Sequence, residues 1–270
     1  MNNGKLNTVT IIGIPSDEFS SYMKGCAEAP TRIRKILYCG AANLFSELGV
    51  NIGDPKLFVD DGDLKFEGGP AGFEQITDSV ISILDDGKIP LFLGGDHAIT
   101  YPIIRAFQEK IEGLTILHFD AHSDLYDSFE GSRLSHACPF ARIMEEKPAT
   151  RLIQVGIRTL NDHLKEQANR FNVEIIEARD LDPRMDLSLK GPLYISLDLD
   201  VLDPAFAPGI SHHEPGGLSV RTVIDMIHRI KVPIVGADIV EYNPRRDVSD
   251  MTAMVAAKFI KELAGKMIRN

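Results

Sequence analysis

Two hundred and seventy residues are enough for one large domain or two small ones. A composition of 44% hydrophobic and 25% charged residues, with no apolar run near the ~18 residues a bilayer span needs, sets aside a disordered chain and a membrane protein. The formal charge of -10, from 29 basic and 39 acidic side chains, repels a nucleic-acid backbone and suits a cationic substrate or a metal ion.

Along the chain, Met1 to Asn7 is polar and lacks the charged and apolar regions of a signal peptide. Val9 to Ile14 reads as a short buried strand stopped by Pro15. Cys26, Cys39 and Cys138 are widely spaced and outside any CxxC pattern, so neither a disulfide framework nor a thiolate zinc site is expected. A reducing, cytoplasmic location follows as the expectation. Asp54 to Gly72, with Asp60-Asp61-Gly62-Asp63 and Gly68-Gly69-Pro70, reads as a linker. Phe73, Ile76, Val80, Ile83 and Leu84 fall at helical spacing. Ile89 to Leu93 is a strand stopped by Gly94-Gly95, and Pro102 sits just inside a helix start that Thr100 would cap.

Further strands are expected at Leu114 to Phe119, Leu152 to Val155, Val173 to Ile176, Leu193 to Leu197 and Ile234 to Val235, and a closing helix at Met251 to Leu263. The alternation predicts an α/β fold with a mainly parallel sheet covered by helices on both faces. The polar signals run from position 97 to position 241, so residues 1–270 read as a single domain with one site.

In an open parallel sheet, ligands collect beyond the carboxyl ends of the strands. Gly94, Gly95, Asp96 and His97 follow one strand, Asp120, His122 and Asp124 another, and Asp198 and Asp200 a third. In extended backbone, side chains two apart point the same way, so each group could face one point. Carboxylates gathered there repel one another unless cations sit between them. Oxygen ligands with two imidazoles suit a borderline-hard ion such as Mn²⁺. Taken singly, each element has a bland explanation: capping, a turn before Pro204, or a strand-ending turn with no P-loop or dinucleotide signature. Their conjunction points to a metal site.

With these segments in view, the sequence resembles the ureohydrolase family, which includes arginases and agmatinases. The likeness rests on Gly94-Gly95-Asp96-His97, FDAHSD from Phe119 to Asp124, SLDLDVLDP from Ser196 to Pro204, and Glu241 in EYNP. It spans nearly the whole chain and is closest to the plant-type branch, as in GCAEAPTRIR, LYDSFEGSRLSHACPFARIM, PAFAPGISHHEPGGLS and MTAMVAAKF. The resemblance implies a three-layer α/β/α fold, two Mn²⁺ ions per subunit, and homotrimers or homohexamers. One metal would take His97, Asp120, Asp124 and Asp198, and the other His122, Asp120, Asp198 and Asp200.

The reaction so implied is hydrolysis of a small cationic guanidino substrate: L-arginine to ornithine and urea, or alternatively agmatine to putrescine and urea. A metal pair can lower the pKa of a shared water and so supply the strong nucleophile that a resonance-stabilised guanidinium carbon requires. Glu241 would anchor the guanidinium, and His136 would give the proton the leaving amine needs. His212, in a Gly- and Pro-rich loop, and Thr159, which follows Gly156-Ile157-Arg158 where animal-type arginases carry an acid, would contact the substrate. Of the other histidines, His118 reads as a satisfied core group, His163 and His228 as solvent-facing, and His213 is assigned no role. A one-metal deacetylase would not need this full ligand set or Glu241, and a silent metal-binding protein would be free to lose ligands that are all present here.

Overall fold

The computed structural model describes residues 7–147 and 149–269; the polar segment before Asn7 lies outside them. Eight strands form a single sheet: β1 (Val9–Ile14), β2 (Phe58–Asp63), β3 (Ile89–Gly94), β4 (Thr115–Phe119), β5 (Arg151–Ile157), β6 (Glu174–Glu177), β7 (Leu193–Asp198) and β8 (Ile234–Val240). Their order is β2-β1-β3-β8-β7-β4-β5-β6, and every neighbouring pair is parallel.

A parallel sheet needs cover on both faces, which is why its inner strands are continuous apolar runs. Successive side chains alternate between the faces. Val9, Ile11, Leu91, Leu93, Leu117, Phe119, Ile195 and Leu197 pack with α1 (Ala29–Leu37), α6 (Val220–Arg229) and α7 (Met251–Ile268). Ile12, Ile14, Phe92, Ile116, Leu152 and Tyr194 pack with α2 (Gly69–Asp85), α3 (Thr100–Gln108), α4 (Pro139–Glu146) and α5 (Asp162–Phe171). The fold is therefore the expected three-layer α/β/α sandwich. Each of these Ile, Leu or Phe side chains contributes ~1.5–3 kcal/mol through burial.

Local chemistry fixes the helix ends. Ser219 caps α6 by accepting the Thr222 N–H at 3.1 Å, and Asn161 caps α5 by accepting the Leu164 N–H at 2.9 Å. Thr100 does not act as the expected cap. The helix continues from a 3₁₀ turn over His97–Ile99 whose cap is Asp96, and the Thr100 hydroxyl instead donates to Asp238 Oδ2 at 2.9 Å.

Two other expectations are corrected. The Asp54 to Gly72 stretch contains edge strand β2 and the first turn of α2. An edge strand with one partner tolerates the exposed Asp60, Asp61 and Asp63 that made this segment look like a linker. His228 is half-buried, and its Nε2 lies 2.8 Å from the fully buried carboxylate of Glu262 on α7. His163 is exposed and stacks on Tyr126.

Candidate active site

The sheet register brings the site together. Leu93 pairs with Ile239, Ile239 with Leu197, and Leu197 with Phe119, so the four central strands β3, β8, β7 and β4 end on one level. His97 follows β3, Glu241 follows β8, Asp198 closes β7 with Asp200 just after it, and Asp120, His122 and Asp124 follow β4. Gly95 occurs where it does because a side chain there would collide with the Ser16 backbone.

Each of three aspartates ties one oxygen to backbone and turns the other inward. Asp120 Oδ1 accepts the His122 N–H at 2.5 Å, Asp198 Oδ1 the Asp200 N–H at 2.7 Å, and Asp200 Oδ1 the Ala121 N–H at 3.0 Å. His97 Nδ1 is 3.1 Å from Asp120 Oδ2, 3.1 Å from Asp124 Oδ2 and 3.2 Å from Asp198 Oδ2. It is buried and has no hydrogen-bond partner among the described residues. Its other nitrogen, Nε2, is 2.9 Å from Ser196 Oγ, and that hydroxyl donates to Asp238 Oδ1 at 2.7 Å. Because Ser196 spends its proton on Asp238, Nε2 donates to it, and Nδ1 is the nitrogen that faces the three carboxylates.

Around the second centre, His122 Nδ1 lies 2.8 Å from Asp200 Oδ2 and 3.5 Å from Asp120 Oδ1. Donor atoms of Asp120, His122 and Asp200 cluster within 4.8 Å, as do those of His97, His118 and Asp120, so Asp120 belongs to both groups. His118 nevertheless has both nitrogens engaged. Gln154 Nε2 donates to its Nδ1 at 3.0 Å, and its own Nε2–H donates to Asp120 Oδ2 at 2.7 Å. It is the satisfied core group expected, with the added effect of holding Asp120 in place.

Burial and the neighbouring Asp200 and Asp120 carboxylates push Asp198 well above the usual carboxylate range, and burial and Asp120 push Asp200 up to about 6. The cluster is short of positive charge. A buried imidazole nitrogen facing three carboxylate oxygens, with a second imidazole beside a shared aspartate, fits a pair of divalent cations.

His136 and Glu241 form a second unit. His136 Nδ1 is 2.8 Å from Glu241 Oε1, which also accepts the His97 N–H at 2.9 Å. Among the described residues, Glu241 Oε2 accepts only from the Cys26 thiol, at 3.6 Å. Burial would keep His136 neutral, but the Glu241 carboxylate outweighs it and lifts the ring to about 9. Burial likewise opposes the Glu241 charge, yet His136 holds it down at about 2. Ser21 offers Nε2 a partner in either state: its N–H at 3.1 Å donates to the neutral ring, and its hydroxyl at 2.8 Å accepts from the protonated one.

Asp124 and Glu241 adopt left-handed backbone, with φ of 50° and 62°. This conformation costs a non-glycine residue about 1–3 kcal/mol and is concentrated at functional sites. Sequence reading missed it, as it missed the role of Asp96, which accepts the Phe19 N–H at 3.0 Å and the Ser20 hydroxyl at 3.1 Å and so brings Ser21 to His136. Asp96 stands inside the Gly94–His97 motif, which was its only signal.

Ser21, His122, Asp124, His136, Asp198, Asp200 and Glu241 line a cleft of about 220 Å³ together with Ser123, Tyr126, Phe129, Thr159, Leu164, His212 and Glu214. His212 Nε2 is buried without a hydrogen-bond partner among the described residues, and burial pulls this ring below its ordinary pKa. The Thr159 hydroxyl donates to the Ala121 carbonyl at 3.1 Å. His213 is exposed, with its Nε2 2.9 Å from the Pro208 carbonyl. The three cysteines are free thiols, Cys26 and Cys138 buried and Cys39 exposed.

Such a donor set at the strand ends of a three-layer parallel sheet is the architecture of a metal-dependent hydrolase. The chain belongs to the arginase family, whose model matches residues 7–265. It is 46% identical to the mitochondrial arginase 1 of Arabidopsis thaliana, over 98% of this chain and 82% of that protein. It is 36% identical to the agmatinase of Bacillus anthracis, over 94% of this chain and 90% of that protein. The solved arginase of Medicago truncatula superposes with a TM-score of 0.92 at 43% identity, over 98% of this chain and 89% of that one.

Proposed function

We propose that this chain is a binuclear manganese hydrolase that cleaves L-arginine to ornithine and urea. The observation that carries the reading is His97 Nδ1, buried and unpartnered among three carboxylate oxygens beside the His136–Glu241 pair. His97, Asp120, Asp124 and Asp198 would hold one ion, and His122, Asp120, Asp198 and Asp200 the other. Oxygen-rich donors with two imidazoles support Mn²⁺ as the metal. When bound, the pair supplies Lewis acidity and a low pKa for a shared water.

The chain's own residues do the rest. Glu241 stays anionic at neutral pH and accepts from the guanidinium at Oε2, because Oε1 is already engaged. As that cation docks, the field holding His136 protonated weakens and its pKa falls, so the ring becomes a better acid once substrate is in place. With Nδ1 tied to Glu241, the proton for the leaving amine departs from Nε2, and Ser21 partners the ring before and after. His212 and Thr159 are read as contacts along the substrate chain.

The second reading, agmatine hydrolysis to putrescine and urea, is favoured by one observation: among the described residues, no Lys or Arg lines the cleft to pair with a substrate carboxylate. Greater likeness to the plant arginases favours arginine. The remaining attributes of this reading are a single domain over residues 1–270, a homotrimer or homohexamer, and a cytoplasmic enzyme. Free thiols are at home in that compartment. The Arabidopsis relative is named mitochondrial, and among the described residues no helix is long and apolar enough to cross a membrane.

The test is urea release by Mn²⁺-reconstituted protein, with kcat/KM for L-arginine and agmatine measured side by side. Arginine should lead. A lead for agmatine replaces the substrate, and silence on both with metal bound rejects the hydrolase.

A further inference from the structure

Of the carboxylates that line the cleft, Asp124, Asp198 and Asp200 belong to the metal-type cluster and Glu241 faces the guanidinium. Glu214 has no such part. Its Oε1 is 3.9 Å from His122 Nε2, beyond hydrogen-bond distance, and among the described residues no Lys or Arg pairs with it. Its side chain is 42% exposed, against 6% for Glu241, so the two acids sit at the mouth and the floor of one cleft. Three imidazoles separate them: His136 against Glu241, then His212 with its ring 5.5 Å from that of His136, then His122 with its ring 5.7 Å from that of His212. Tyr126, Phe129 and Leu164 also line the cleft, an apolar surface suited to a methylene chain.

The backbone at Glu214 is fixed rather than loose. Arg158, whose charge is spent on carbonyls, donates from Nε and Nη2 to the Glu214 carbonyl at 2.9 and 2.6 Å and from Nη2 to the Asp200 carbonyl at 2.7 Å. The loop that carries Glu214 is thereby tied to the turn that carries a candidate metal ligand.

Taking the guanidine-hydrolase reading as its basis, we propose that Glu214 is a specificity-determining residue that pairs with an ammonium group at the far end of the substrate. The substrate class is then an alkylguanidine bearing a distal amine, anchored by a carboxylate at each end. Both L-arginine and agmatine belong to this class, and simple alkylguanidines do not. The competing role for Glu214 is to orient His122, which would act on every substrate alike.

The experiment uses two substrate pairs that differ only by that amine, agmatine against n-butylguanidine and L-arginine against 5-guanidinopentanoate. Both are measured with Mn²⁺-loaded wild type and Glu214→Gln, with bound metal and the thermal transition read on the same preparations. For the pair that wild type turns over better, the amine-to-no-amine ratio of kcat/KM should fall about tenfold in the variant, the scale of one charge-assisted hydrogen bond. The loss should lie in KM, with metal content unchanged. An unchanged ratio overturns the assignment, whether both members fall together with metal loss, as the His122 role requires, or neither moves. A wild type that binds metal yet releases urea from none of the four removes the guanidine-hydrolase reading, and this assignment with it.

Discussion

A cluster of buried acid and imidazole on the helical layer and one at the strand ends are balanced differently. On the helical layer, Glu262 of α7 is fully buried, yet its carboxylate accepts the Glu47 N–H, meets His228 at 2.8 Å and is bridged by Lys258. Lys258 and Arg221 in turn neutralise Glu47. At the strand ends, Asp120, Asp124, Asp198 and Asp200 share the imidazoles of His97, His118 and His122, with no Lys or Arg of the described residues among their ion pairs, and His97 Nδ1 is left without a hydrogen bond. Burial and acidity are common to both. What separates a site from a strut is charge left uncompensated by the chain itself.

The sharpest way to break this contrast is to remove a bridging acid. Asp120→Ala or Asp198→Ala should lower urea release by roughly a thousandfold or more, several kcal/mol of transition-state stabilisation, and abolish the rise in Tm on adding Mn²⁺. In chelator-treated protein, Asp198→Asn should not lower Tm, because it removes a carboxylate that burial and its neighbours already disfavour. A clear drop in the chelated state would mean that the cluster is satisfied without metal.

Next in size, His136→Ala should keep its metal and lose about a hundredfold in kcat, as for a missing proton donor. The stability carried by the pair has its own pH window. The His136 contribution is complete below 6.5 and fades as pH rises through about 9, while that of Glu241 is complete above 4.5 and fades as pH falls through about 2. The Tm gap between wild type and Glu241→Gln should therefore be widest from pH 4.5 to 6.5 and close above pH 9. A gap independent of pH would show that the two groups are not paired.

Smallest in catalytic consequence is the strut. Glu262→Ala should cost about 3 kcal/mol in chemical denaturation, the range for breaking a buried ion pair, while kcat per folded molecule stays unchanged. A fall in kcat would couple the two clusters.

The sequence disclosed the sheet where its strands are buried on both sides, as in Val9 to Ile14, which coincides with β1. It failed where that burial stops. Edge strand β2 is half aspartate, and β8 runs from Ile234 to Val240 although Gly236 and Asp238 interrupt its apolar run. Asp238 is tolerated there because Ser196, Tyr194 and Thr100 all donate to it. The expected metal-type residues come together, but not through extended backbone: the register levels the strand ends, while a 3₁₀ turn over Leu199–Val201 places Asp200 and left-handed backbone places Asp124. The roles of the supports were not legible: Asp96, although inside the Gly94–His97 motif, and Ser21, Gln154 and Arg158 act through contacts far apart in sequence.

The left-handed backbone at Asp124 and Glu241 bears on how this protein can be improved. Asparagine or glycine would relax both positions, so a search for thermal robustness alone would select those replacements and surrender turnover in the same step. Heat tolerance has to be sought elsewhere, in surface turns and helix ends, with residues 124 and 241 left untouched.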